Sequence, residues 1–217
     1  TSNRANVDGT LNILVAARDA GVRRVVFAGS SSAYGNTATS PKHEDMPTSP
    51  LSPYALQKVV GEQYLQMFTT LYGLETVTIR YFNVFGPRQD PNGEYSAVIP
   101  KFVVSMLAGK RPTVFGDGGQ SRDFTYVENV VRGNLAAAAA RQASGRIFNV
   151  ACGRQYSLLE LIESINRVLG TKIEPICADA RAGDVRDSLA DITAARETLA
   201  YEPTIDFDEG LRRSIEY

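Results

Sequence analysis

The chain has 217 residues, with 23 Lys plus Arg against 24 Asp plus Glu, a net charge of −1, and a hydrophobic share of 43%. That is globular composition, long enough to bury the core of one or two domains. Near-neutral charge argues against a surface built to grip nucleic-acid phosphates, a single histidine and no CxxC exclude the usual metal frameworks, and no apolar run approaches the ~20 residues that span a membrane.

The first periodic segment is Val7, Leu11, Leu14 and Val15 before Gly21, which predicts a helix over 6–20. The β-branched run over 22–28, bounded by Gly21 and Gly29, reads as a buried strand. Residues 29–53 read as a long loop carrying Pro41, Pro47, Pro50 and Pro53, and such loops inside compact domains are usually functional. A helix over 54–72, closed by Gly73, precedes a strand over 74–81. This alternation is the rhythm of a parallel α/β sheet, and right-handed crossovers place its two strands side by side.

After residue 83 the texture changes. Residues 85–97 read as loop, and 98–107 as a helix that tolerates Pro100 only near its first turn. Short strands are expected over 113–115 and 123–126, a helix over 127–141 and a strand over 146–151. Ser157 with Glu160 makes a capping box ahead of Leu158, Leu161, Ile162 and Ile165. Asp191 caps a last clear helix ending at Leu199. The glycines at 116, 118 and 119 are followed by no apolar helix, so they read as a turn and not as a dinucleotide fingerprint. No repeat or low-complexity linker divides the chain. Cys152 and Cys177 form no disulfide framework, and no secretory leader is recognisable, so a reducing cytoplasmic setting is expected.

Three features fall at the carboxyl ends of the expected strands, where doubly wound sheets hold their ligands. Gly29 to Gly35 reads Gly-Ser-Ser-Ser-Ala-Tyr-Gly and offers hydroxyls, although a serine-rich turn explains it equally well. Tyr54 and Lys58 open a helix four residues apart and share its face. A phenol is a poor base at neutral pH, and a neighbouring ammonium favours its ionised form, which makes such a pair a general acid–base for a hydroxyl. A lone pair at that spacing is more often structural. Asn83, in Arg80-Tyr81-Phe82-Asn83, offers a donor and an acceptor to a sugar or phosphate, or simply ends a strand.

Read with Asn-Val-Asp-Gly-Thr at 6–10, Gly-Asp-Gly at 116–118, Ser-Arg-Asp-Phe-Thr-Tyr-Val at 121–127 and Arg-Ala-Gly-Asp-Val-Arg at 181–186, this ordered set resembles the extended short-chain dehydrogenase/reductase family. The resemblance runs from Asn6 to the C-terminus, and is to the nucleotide-sugar epimerases and dehydratases, most of all UDP-glucose and UDP-N-acetylglucosamine 4-epimerases. It implies an α/β fold. An incomplete Rossmann-type parallel sheet, its first β/α units missing, would occupy 1–90. A smaller, interwoven substrate-binding part would occupy 91–217, with the helix and strand over 127–151 a candidate to return to the first sheet.

The resemblance also implies NAD as cofactor, a UDP-sugar as substrate, and no metal. Ser30, Tyr54 and Lys58 would be catalytic, and all three would touch the cofactor together with Asn6 and Phe82. Ser32, Asn83 and Ser188 would meet the sugar nucleotide, Ala97 and Val98 the uracil end, and Thr113 and Phe115 the base. Arg122 and Arg181 would reach the diphosphate, for which a guanidinium fork is suited, and Asp184 the ribose. For the two arginines a surface salt bridge is the alternative.

The family's dehydratases carry Asp-Glu where this chain has Ser31-Ser32, so elimination is disfavoured and 4-epimerisation through a transient 4-keto sugar is expected. Tyr54 would take and return the 4-hydroxyl proton while hydride moves to and from the cofactor. Ser188 stands where glucose-restricted members place a tyrosine, which leaves room for an N-acetyl group. Asp187 departs from the family's histidine. The family's glycine-rich loop precedes Thr1, so this chain alone is expected to lack turnover, and the strand over 22–28 to lack a neighbour. The helices over 6–20 and 53–72 are expected to form a homodimer interface. A uronate epimerase, decarboxylase or reductase of the same scaffold, or a non-catalytic sugar-nucleotide-binding remnant, stays open.

Overall fold

The computed structural model describes residues 2–92, 97–180 and 186–217. The first helix starts earlier than its apolar period suggests, with a π-helical turn at Arg4–Asp8 leading into α1 (Gly9–Asp19). β1 (Arg24–Ser30) begins and ends two residues later than the apolar run, because Gly29 and Ser30 continue the ladder opposite Arg80 and Tyr81. A 3-10 turn, Ser31–Tyr34, follows, and the Ser30 hydroxyl caps it by accepting from the Ser32 N–H. α2 (Pro53–Tyr72) has Ser52 as a side-chain cap on the Ala55 N–H, proline at its first position and left-handed Gly73 at its end. Each of these is a standard helix boundary signal.

β2 (Glu75–Tyr81) and β3 (Val84–Phe85) come next, then α3 (Val98–Leu107), whose Pro100 lies in the first turn, and β4 (Thr113–Phe115). Of the strand expected over 123–126 only β6 (Thr125–Tyr126) forms, and a separate strand, β5 (Ser121–Arg122), precedes it. The chain changes partner there: the Asp123 N–H donates to Ser188 O and the Thr125 N–H to Asn83 O. α4 (Val127–Ala139), β7 (Arg146–Val150), β8 (Tyr156–Ser157) and α5 (Leu158–Leu169) follow, the last with its capping box formed. β9 (Ile176–Ala178), β10 (Asp187–Ser188), α6 (Thr193–Leu199) and α7 (Phe207–Glu216) complete the order. Asp191 accepts from the Thr193 N–H at the head of α6. α7 corrects the expectation of a last helix at Leu199; Asp206 caps it by accepting from the Glu209 N–H.

Three strands form a parallel sheet in the order β1-β2-β7. In its register Ser30 stands opposite Tyr81, and Tyr81 opposite Val150, so the carboxyl ends are level. Val77, Ile79, Phe148 and Val150 are 0% exposed in the core of this sheet. Each such side chain contributes about 1.5–3 kcal/mol by leaving water. The smaller sheets are β3 with β6, β4 with β9, and β10-β5-β8, around a second core that includes Phe85, Phe124 and Phe207. A third cluster, with Leu14, Leu65 and Phe68, joins α1 to α2.

Candidate active site

A cavity of about 540 Å³ opens at the level carboxyl ends of β1 and β2. Open α/β sheets bind their ligands in the crevice outside the carboxyl ends of the strands. Ser30 and Ser32 line it with hydroxyls 2.8 Å apart. Tyr54 stands in the first turn of α2, is 40% exposed and lines the same cavity. Lys58, one turn on, donates to Ala28 O at 3.0 Å, and its ammonium lies 5.7 Å from the centre of the Tyr54 ring. Burial holds that ammonium below the ordinary lysine range.

Asn83 adopts a left-handed backbone, φ 36°, just past β2. Asparagine tolerates this region better than most residues. The turn aims its amide across the cavity, where Nδ2 donates to Asp123 O at 3.2 Å and to the Ser188 hydroxyl at 3.4 Å. Arg122 of β5 and Ser188 of β10 are paired in register and also line the cavity. Six expected site residues therefore face one space: Ser30, Ser32, Tyr54, Asn83, Arg122 and Ser188.

Other expected residues fall elsewhere. The Phe82 ring is 0% exposed and lies 6.1 Å from the Tyr34 ring, behind the residues that line the cavity. Asn6 lies in the π-helical turn, and its amide donates to Gln57 Oε1 at 2.8 Å. Ala97 and Val98 begin α3, and Thr113 and Phe115 lie on β4 beside β9, all outside the lining of this cavity. Arg181 and Asp184 lie outside the described residues.

Among the lining residues with no assigned role in the sequence are Tyr34, Lys42, Tyr81 and Asp187. Tyr34 donates its phenol to Asn149 Oδ1 at 2.7 Å, and burial pushes it up to about 12. Lys42, 4% exposed, donates to the Thr37 hydroxyl at 2.8 Å and to Thr39 O at 2.6 Å. Burial lowers its ammonium against the opposing pull of Asp187. Asp187 accepts from the Ser121 hydroxyl at 2.6 Å, and Tyr81 donates to Asn134 Oδ1 at 2.8 Å. The strand pattern carried a signal only for Tyr81, at the end of β2.

As chemistry, the cavity is lined by a phenol, hydroxyls, a guanidinium and an amide, with the Lys58 ammonium beside the phenol ring. That set moves a proton at an alcohol and holds an anionic, hydroxyl-rich ligand. The donor set also suits the nicotinamide-ribose end of a dinucleotide, with Lys58, Tyr54 and Ser30 able to hold it, whereas the sequence contains no Gly-x-x-Gly-x-x-Gly for a pyrophosphate. Among the described residues no cluster fits a metal ion, and no helix is long and apolar enough to cross a membrane.

The sequence profile of the NAD dependent epimerase/dehydratase family matches residues 2–151. A UDP-glucose 4-epimerase of Mycolicibacterium smegmatis is 42% identical over 213 residues, covering 98% of this chain and 67% of that protein. Among solved structures, a UDP-N-acetylglucosamine 4-epimerase from Methanobrevibacter ruminantium M1, in complex with UDP-N-acetylmuramic acid, superposes with a TM-score of 0.95 at 40% identity, covering 99% of this chain and 68% of that one. A UDP-glucose 4-epimerase from Thermotoga maritima, with UDP-glucose, gives a TM-score of 0.95 at 37% identity, covering 99% and 69%. The chain thus spans about two thirds of the length of these relatives. Profile, sequence identity and superposition agree on one group, and the chain belongs to the NAD dependent epimerase/dehydratase family.

Proposed function

We propose that this chain carries the reacting groups and the sugar-nucleotide site of an isomerase that interconverts a UDP-hexose and its 4-epimer. UDP-N-acetylglucosamine and UDP-N-acetylgalactosamine are the favoured pair, with UDP-glucose and UDP-galactose equal or lesser substrates. The observation that carries this reading is the convergence of Ser30, Tyr54, Asn83, Arg122 and Ser188 on one cavity, with Lys58 beside Tyr54.

In this reading Tyr54 takes the proton of the sugar 4-hydroxyl and later returns it. Lys58 supports the negative charge that develops at the phenol oxygen. Ser30 orients the reacting hydroxyl by a hydrogen bond. Arg122 binds phosphate oxygens, and Asn83 and Ser188 place the hexose. NAD, when bound, would supply the reversible hydride acceptor for C4, with Lys58, Tyr54 and Ser30 the residues to hold its nicotinamide-ribose end. Ser31 and Ser32, where the family's dehydratases carry carboxylates, provide no acid for eliminating water. A homodimer in a reducing, cytoplasmic setting completes the proposal, in keeping with two unpaired cysteines.

The test is a titration of the chain with UDP and with NAD, followed by product analysis on the four UDP-hexoses. Tyr54→Phe is expected to lower turnover at least ~100-fold while leaving UDP affinity within about twofold. Equal loss of both would count against Tyr54 as the acid–base. Binding of UDP without NAD would assign this chain sugar-nucleotide recognition alone.

A further inference from the structure

Behind the cavity, and lining none of it, Glu62 and Arg80 form an ion pair, 3% and 2% exposed. Arg80 Nε and Nη2 donate to the two carboxylate oxygens of Glu62 at 3.0 and 2.7 Å. Glu62 is on α2, in a series with Tyr54 and Lys58 at four-residue steps, so the three share one stripe of the helix. Arg80 is on β2, opposite Gly29 of β1. Its guanidinium carbon also lies 4.6 Å from the centre of the Tyr34 ring.

Tyr34 closes the 3-10 turn that Ser30 caps, and it lines the cavity. One guanidinium therefore touches the helix bearing Tyr54 and Lys58 and also the turn bearing Ser32 and capped by Ser30. Gly29 leaves the space: a Cβ there would come within 2.9 Å of Ile79 O and 3.1 Å of Glu62 Oε1.

Stability is a poor explanation for such a pair. Desolvating two charges offsets most of their attraction, and apolar side chains of equal volume often hold a core as well. Arg80 Nη1 has no hydrogen-bond partner among the described residues, a further cost of the arrangement. What the fork does provide is direction, since two parallel bonds fix the distance and angle between helix and strand, which apolar contact leaves free to slide.

We propose that Arg80 is a positioning residue which, through Glu62 and Tyr34, sets the register between α2 and the serine turn, so that Tyr54, Lys58 and Ser30 meet at one point of the cavity. The proposal rests on the reading of those three as the reacting groups.

The test labels the full chain with 3-fluorotyrosine and identifies the Tyr34 and Tyr54 resonances through Tyr34→Phe and Tyr54→Phe. In Glu62→Gln and in Arg80→Lys both resonances are expected to shift or broaden, while that of Tyr156, stacked on Phe207 in the other core, stays in place. Turnover of a UDP-hexose is expected to fall at least about tenfold, with UDP affinity within about twofold. The double variant Glu62→Gln with Arg80→Met, which leaves no unpaired charge, is expected to fold and to show the same displaced resonances. Unmoved Tyr34 and Tyr54 resonances in a folded variant overturn the proposal. So does failure of the double variant to fold, because the pair would then hold the fold and not the register. Failure of the unsubstituted chain to bind UDP counts against the proposed function and leaves the fluorine readout intact.

Discussion

Asp123 is 0% exposed, and its carboxylate accepts from the backbone N–H groups of Cys152 and Gly153 at 2.9 Å and of Ala190 at 3.3 Å. Its main chain meanwhile holds two cavity residues, accepting from Asn83 and donating to Ser188 O. Burial pushes the carboxyl from the ordinary 3.8 up to about 7, against the pull of those N–H groups. Between these values the folded chain binds more protons than the unfolded one, so stability falls as pH rises through that window. Urea midpoints measured across it should show this slope. In Asp123→Asn the slope should become shallower, the remainder including buried Glu44, whose carboxyl is also raised by burial, and stability should drop by about 1–3 kcal/mol, because an amide N–H₂ faces backbone donors. A variant that keeps the slope would assign it to another group.

Ser30 and Tyr54 were legible in the sequence because each sits a fixed step from a strand or helix end, and Arg122 was reached only through the family motif that contains it. Lys42 and Asp187 were not, because long-range pairing brings them in: Lys42 bridges to Ala190, and Asp187 pairs with Ser121. The strand period also carried a signal for where Phe82 lies. Tyr81 faces the cavity, and its neighbour faces away.

At the scale of elements, α2 is placed by close approach to β1. A Cβ on Gly61 would stand 2.5 Å from Phe27 Cζ, and that ring also lies 5.2 Å from the Lys58 ammonium. Alanine in a helix interior is ordinarily favoured over glycine by about 1 kcal/mol. Here the clash should reverse the sign, so Gly61→Ala is expected to destabilise by about 1–3 kcal/mol and to lower turnover more than UDP affinity. A raised denaturation midpoint would show that the helix moves away freely. α5 could be read from the sequence through the capping box of Ser157 and Glu160, whereas α7 was missed although Asp206 caps it. The strands β8 and β10, two residues each, and β9, three residues, could not be read from it. Their length carries no period, and they exist because distant partners supply the ladder.

For the whole molecule, α1 and α2 leave Ile13, Leu56, Met67 and Leu71 more than half exposed. Val59, Leu65 and Phe68 of the same helix α2 are buried, so that helix has an inner and an outer apolar side. The proposed homodimer would cover the outer one. Sedimentation of the chain should show a dimer, and Met67→Lys with Leu71→Lys should yield a folded monomer. A chain that is monomeric before substitution would remove that surface from the proposal.

Asn149 of β7 donates from its amide to Lys42 O and Asp191 O, and Tyr201 donates to Ala151 O just past the same strand. Segments from the beginning, middle and end of the chain are thus fastened at one strand end, beneath the cavity. Freeing any of these segments breaks hydrogen bonds that fix the others, so loss of one wall and loss of the rest are expected to be coupled. A ligand that grips one wall is then expected to slow the opening of all of them.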